Sequence, residues 1–216
     1  MPTRTRSSFE SGFSLIELLL VMALAAILTA LSITSLGGLR GGAQLNSSLS
    51  TLVGLLEAGR QRAIGANTYV WVLFASQIPG EAEPGIVVAV YERRDGSGMP
   101  TISGDVIDEA GEIWAPTLRT FTLPHLTLKD KGEMSFPSLP AETSLVGLAP
   151  VSVAVTHAGQ TINYSRAILF SPNGTARVSA ALSHYLEFGL LTQNRANNGA
   201  VIRVNALTGK AQVYRP

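Results

Sequence analysis

From Phe13 to Leu36 the chain reads FSLIELLLVMALAAILTALSITSL, an apolar run of 24 residues broken by one charge, Glu17. As a helix it would extend about 36 Å at about 1.5 Å per residue, enough to cross a bilayer core of about 30 Å. Leu, Ala and Met dominate it and favour helix. Before it lies a short, mostly polar stretch of twelve residues with Arg4 and Arg6. Basic residues ahead of a span keep the N-terminus cytoplasmic and send the remainder across. The overall composition agrees: 46% hydrophobic and only 14% charged, against about a quarter charged in ordinary soluble domains.

Two other readings compete. A secretory signal peptide has a shorter apolar core followed by a small-residue cleavage site, and Gly37-Gly38-Leu39-Arg40 makes a poor one. A plain membrane anchor fits the apolarity but not Glu17. A charged residue at the centre of a membrane helix costs about 2.5–3.5 kcal/mol on insertion scales, so an acid there implies a use and a partner. No Lys, Arg or His occurs between Phe13 and Leu39. The partner must be another chain, a newly made terminus, or lipid and water at the interface.

The segment Gly12-Phe13-Ser14-Leu15-Ile16-Glu17, followed by LLLVMALAAIL, resembles the signal of type IV prepilins and type II secretion pseudopilins. That pattern is glycine, an aromatic residue, Ser or Thr, two apolar residues, Glu and a long apolar helix. The resemblance implies cleavage by prepilin peptidase between Gly12 and Phe13 and N-methylation of the new Phe13 amine. It also implies that Glu17 meets the amine of a neighbouring subunit during assembly. Opposite charges attract far more strongly in such a low-dielectric place than in water.

Gly37-Gly38 and Gly41-Gly42 are expected to bend, melt or break the helix, since each Gly costs about 0.8–1 kcal/mol against Ala. The resemblance makes this a point where the helix can loosen in a filament. Leu45, Leu49, Leu52, Val53, Leu56 and Ala63 then recur at steps of three and four. They predict an amphipathic helix from about Ala43 to Ala66, ended by Asn67, which tolerates a left-handed backbone. Beyond it come short β-rich runs: Thr68–Ala75, Gly85–Arg93, Thr117–Leu128, Val151–Thr156, Ala167–Ser171, Val201–Ala206 and Ala211–Tyr214. Ser179–Thr192 fits helix or strand. Leu207-Thr208-Gly209-Lys210 reads as the turn of a last hairpin and Arg94-Asp95-Gly96-Ser97-Gly98 as another turn.

A long helix followed by many strands argues for an α+β fold, the helix packed on an antiparallel sheet. The expected segments are a leader at 1–12, a transmembrane and assembly helix at 13–36, its amphipathic continuation at 37–66 and a periplasmic β-rich domain at 67–216. Leu56-Glu57-Ala58-Gly59-Arg60-Gln61-Arg62-Ala63, an immediate strand, and Ile168-Leu169-Phe170-Ser171-Pro172-Asn173-Gly174 resemble the minor pseudopilin H and FimT-like group.

No enzyme is expected. With no cysteine, thiol chemistry, disulfides and thiolate metal sites are excluded. His125, His157 and His184 are isolated, and no phosphate loop, dinucleotide fingerprint or nucleophile elbow occurs. No cofactor is implied. Asp105, Asp108, Glu109 and Glu112 could in principle meet calcium, but their spacing fits no calcium loop and a solvated loop is favoured.

Charge is uneven. From Glu81 to Glu142 there are 11 acids and 5 bases; from Thr143 to Pro216 there are 6 bases and 1 acid. Some FimT-like minor pilins bind DNA for uptake. Among the basic C-terminal residues Arg177, Arg195, Arg203, Lys210 and Arg215, the nucleic-acid alternative rests on Arg203, Lys210 and Arg215, since arginine suits phosphate contacts. The favoured partners are prepilin peptidase, other pilin or pseudopilin subunits, the inner-membrane assembly platform and membrane lipid.

Overall fold

The computed structural model describes residues 14–77, 85–94, 114–134, 139–141, 144–157, 160–179, 183–192 and 198–215; the side chains of 30–41 and 157 lie outside the description. The turn at 95–98 and the acidic loop from Asp105 to Glu112 also lie outside it.

Helix α1 is continuous over Leu15–Gly65. The expected melting or break at the glycine pairs is therefore corrected: the backbone is helical through 37–42. Gly lowers helix stability but forbids nothing, and helix formers on both sides propagate the ladder through it. The chain nevertheless divides into two compact units at this place, Met1–Arg40 and Gly41–Pro216.

The end of α1 follows from its residues. The Thr68 N–H donates to the Ala63 carbonyl (3.1 Å) and the Asn67 N–H to the Ile64 carbonyl (3.3 Å), while Asn67 adopts φ 52°. This is a Schellman cap with Asn at the left-handed position. Arg62, in the last turn, pairs with Glu92 and complements the negative end of the helix dipole.

Two sheets follow, built from β1 (Val70–Ala75), β2 (Gly85–Arg93), β3 (Trp114–Pro116), β4 (Phe121–Pro124), β5 (Leu126–Lys129), β6 (Leu145–Val146), β7 (Ala149–His157), β8 (Gln160–Phe170), β9 (Ala176–Arg177), β10 (Tyr185–Thr192), β11 (Gly199–Asn205) and β12 (Ala211–Tyr214). The larger has order β3-β2-β1-β8-β7, with β4 on β2 and β9 on β8; the smaller has order β12-β11-β10-β5, with β6 on β10. All pairings are antiparallel except the two-residue pair of β6 with β10.

The fold class is as the sequence implied, an α+β arrangement, but with two sheets where one was expected. Within Ser179–Thr192, the residues Tyr185–Thr192 form strand β10. It lacks alternation because most of it is buried on both faces.

In the second unit Leu45, Leu49, Leu52, Leu55, Leu56 and Ala63 of α1 share one core with Val72, Phe74, Val88, Ile168 and Phe170 of the larger sheet and Phe188, Leu190, Ile202 and Val204 of the smaller. The Phe74 and Phe188 rings, 5.5 Å apart at 56°, join the sheets in a favourable tilted arrangement. Gly59 allows close approach, since a Cβ there would meet Val72 Cγ2 at 3.0 Å. The opposite face of the larger sheet holds a second core around Trp71, Leu73, Tyr91, Trp114, Tyr164 and Leu169.

Candidate assembly site at the N-terminus of the helix

Gly12 and Phe13, the expected processing pair, lie outside the described residues. The structure does place the residues that follow. Ser14 precedes the first helical residue, and its Oγ accepts from the Ile16 N–H at 3.4 Å. Oε2 of Glu17 reaches back to accept from the Ser14 N–H at 3.0 Å. The pair is a variant of the capping box in which the serine oxygen takes the second rather than the third helical N–H, and it satisfies two donors that a helix start otherwise leaves open. Glu17 also sits in the first turn, where the helix dipole favours an anion. The Ser14-x-x-Glu17 spacing was readable in the sequence, yet reasoning from the apolar run alone gave Glu17 only an external partner.

The side chains beyond the cap are apolar on every face of the helix. Ten large ones, Leu15, Ile16, Leu18, Leu19, Leu20, Val21, Met22, Leu24, Ile27 and Leu28, are 53% to 78% exposed. A helix apolar all round belongs in lipid or inside a bundle, and a contiguous exposed patch of this kind marks an interaction surface. Thr29 hides its hydroxyl by donating to the Ala25 carbonyl at 2.7 Å. Among the described residues no helix is long and apolar enough to cross a membrane; the expected span of 13–36 runs into residues whose side chains are not described.

The three expected nucleic-acid contacts do not form one surface. Arg203 is 3% exposed. Its Nε donates to Glu187 Oε2 at 2.7 Å and its Nη1 to the Pro140 carbonyl at 2.6 Å, and its guanidinium lies 5.5 Å from the Tyr214 ring. A guanidinium so enclosed and paired with Glu187 cannot reach a phosphate, so Arg203 leaves the candidate set. Its partner was legible: Glu187 is the one acid after Thr143, and a base within the apolar run Val201-Ile202-Arg203-Val204 needs a buried partner. Lys210 and Arg215 are exposed.

His125 and His184 are exposed. Among the described residues no group of acids and histidines could hold a metal ion.

A second assembly of residues escaped the sequence reading. Gly174 (φ 81°) and Gly209 (φ 66°) sit in turns that both meet the end of α1. A Cβ on Gly174 would come within 2.9 Å of Ile64 Cδ1, and one on Gly209 within 2.6 Å of Arg60 Cδ. Arg60 is held in turn by Glu57 through a bond of 2.6 Å, which raises the guanidinium's pKa and lowers the carboxyl's. The Phe-Ser-Pro-Asn-Gly segment and the arginine near the helix end thus act together, fastening two turns to the helix.

Comparison with known proteins bears on the first of these sites. Residues 8–33 match the prokaryotic N-terminal methylation motif. No curated protein sequence matches the chain. Its fold has some likeness to the type IV minor pilin FimU of Pseudomonas aeruginosa, at 16% identity and TM-score 0.40, covering 80% of this chain and 89% of that one. A second crystal form of FimU gives 16% identity and TM-score 0.40, with 79% and 92% covered. Residues 8–33 therefore place the chain among the proteins that carry a prokaryotic N-terminal methylation motif.

Proposed function

We propose that the chain is a structural subunit cut by prepilin peptidase between Gly12 and Phe13, methylated on the Phe13 amine and assembled through α1. The product is a type II secretion pseudopilus or a type IV pilus-like filament. In this reading residues 1–12 are the leader and 13–36 hold the subunit in the inner membrane with its N-terminus cytoplasmic. Residues 37–66 continue the helix, and 67–216 form the periplasmic domain. The assembly platform and other pilin-like subunits are its partners. The observation that carries the proposal is the capped helix start beside the methylation motif, followed by apolar side chains on all faces. Such a helix gains stability only when lipid or neighbouring helices cover it.

Glu17 then has two roles to separate. Its carboxylate caps its own helix, and its charge can neutralise an amine on a neighbouring subunit in a low-dielectric setting. Glu17→Gln keeps an acceptor for the Ser14 N–H but removes the charge; Glu17→Val removes both. Both variants are expected to insert into the membrane and to enter filaments poorly. Normal incorporation of Glu17→Gln, measured by quantifying the subunit in sheared filaments, would restrict Glu17 to capping and remove the charge-pairing role.

A further inference from the structure

We infer that Met134 is a site of reversible oxidation, at which a peroxide converts the thioether to a sulfoxide and frees the chain at 132–134 from the outer face of the smaller sheet. Two glycines inside strands point to it. Leu186, Phe188 and Leu190 of β10 and Ala200, Ile202 and Val204 of β11 face the core shared with α1. Alternation along each strand therefore turns Gly189 and Gly199 to the opposite face. Gly189 lies opposite Val201 and Gly199 opposite Leu191, so the two glycines are diagonal neighbours on adjacent strands. Glycine weakens a strand and marks a place where another group comes close. Here that group is Met134: a Cβ on Gly189 would collide with its Sδ, and one on Gly199 with its Cε.

The same face carries a buried ion pair. Glu187 stands two residues before Gly189, and Arg203 two residues after Val201. Glu187 Oε2 accepts from Arg203 Nε at 2.7 Å, and its Oε1 accepts from the Gly132 N–H at 3.3 Å. Both side chains are buried. Gly132, at φ 77°, and Met134 thus fasten one short stretch of chain to this face, the first by a hydrogen bond and the second by packing.

Met134 is half-buried, which leaves the side chain open in part to a small oxidant. In the reaction a sulfur lone pair takes one oxygen of hydrogen peroxide and the O–O bond breaks. The sulfur is oxidised to the sulfoxide and the peroxide is reduced to water. The product is polar, and its new oxygen can only accept hydrogen bonds. Besides Met134 itself, the nearest atoms around the two glycines are Lys129 Cβ, Leu191 Cδ1 and the Leu190 carbonyl oxygen, two carbons and a second acceptor. A polar group without a donor is costly to bury, so the sulfoxide leaves the trough. Gly132 then loses its support, Glu187 loses one of its two hydrogen bonds, and water reaches the ion pair.

The test treats the full chain in detergent micelles with hydrogen peroxide, locates sulfoxide by peptide mass spectrometry and follows the Arg203 Nε–H by nuclear magnetic resonance. The expected result is a sulfoxide at Met134, shifted Gly189 and Gly199 signals, and exchange of the Arg203 Nε–H about tenfold faster or more. The two methionine sulfoxide reductases together are expected to restore the thioether and the slow exchange. Met134→Leu, close in size but inert to peroxide, is expected to keep the slow exchange under the same treatment. A thioether that survives peroxide concentrations at which free methionine is fully converted, or a sulfoxide that leaves the Arg203 exchange unchanged, would overturn the proposal. An equal response in Met134→Leu, or an acceleration that the reductases do not reverse, would overturn it too.

Discussion

Leu20 and Leu52 are the same residue in the same helix, yet Leu20 is 61% exposed and Leu52 is 0% exposed. Over its described side chains, residues 15–29, the first half of α1 is apolar on every face, and none of these side chains lies in a core. The second half has one apolar stripe, and that stripe forms the centre of the domain. Sequence periodicity makes the same distinction. A continuous apolar run has no preferred face, whereas steps of three and four define one. The difference shows that a single secondary structure can serve two solvents. The second half is stabilised by its own domain. The first half carries side chains that would each gain about 1.5–3 kcal/mol from full burial, which the proposed function assigns to lipid or another subunit.

Substitutions can break or sharpen this contrast. Leu52→Ala is expected to lower the domain's stability by about 2–5 kcal/mol, the usual cost of a buried leucine, measured by urea unfolding. Gly209→Ala is expected to cost about 1–3 kcal/mol, because the residue needs positive φ and the new methyl meets Arg60 and Gly174. The same melt applied to Gly54→Ala, where a Cβ meets nothing within 4 Å, should show no loss.

Alkaline unfolding probes only the domain half. Burial pushes the Tyr164 hydroxyl up to about 12, with Tyr91 nearby adding to the rise. Its folded pKa lies above the ordinary value of 10. The neutral form therefore contributes stability that is complete below pH 10 and is lost as pH rises toward 12. Tyr164→Phe should flatten that part of the pH profile.

At the other end of the helix, Ser14→Ala is expected to cost about 1 kcal/mol of local helix stability, read as faster exchange of the Ile16 amide. Leu20→Ala should change the domain's unfolding by less than about 0.5 kcal/mol. A large effect of Leu20→Ala on the isolated subunit would erase the contrast.

How legible this was depends on what each residue had to report. Strands β2 and β12 were readable to the residue from their β-branched and aromatic runs, and Asn67 and Gly209 from their need for a left-handed backbone. Strand β3, only Trp114–Pro116, is too short to have a period. The division into two sheets was not legible, because strands such as β1, β10 and β11 are buried on both faces and carry no mark of which neighbour they choose. Arg203 misled because a charge on a strand suggests solvent. Only its apolar neighbours and the solitary Glu187 point inward. At the N-terminus the motif was legible in full, while the capping role of Glu17 needed the geometry of the Ser14 N–H.

The most direct test of the account is N-terminal mass spectrometry of the full chain expressed with an active prepilin peptidase. The account predicts a mature chain that begins at a methylated Phe13. An intact Met1 terminus under the same conditions would contradict it, leaving the apolar run a plain anchor and Glu17 a helix cap alone.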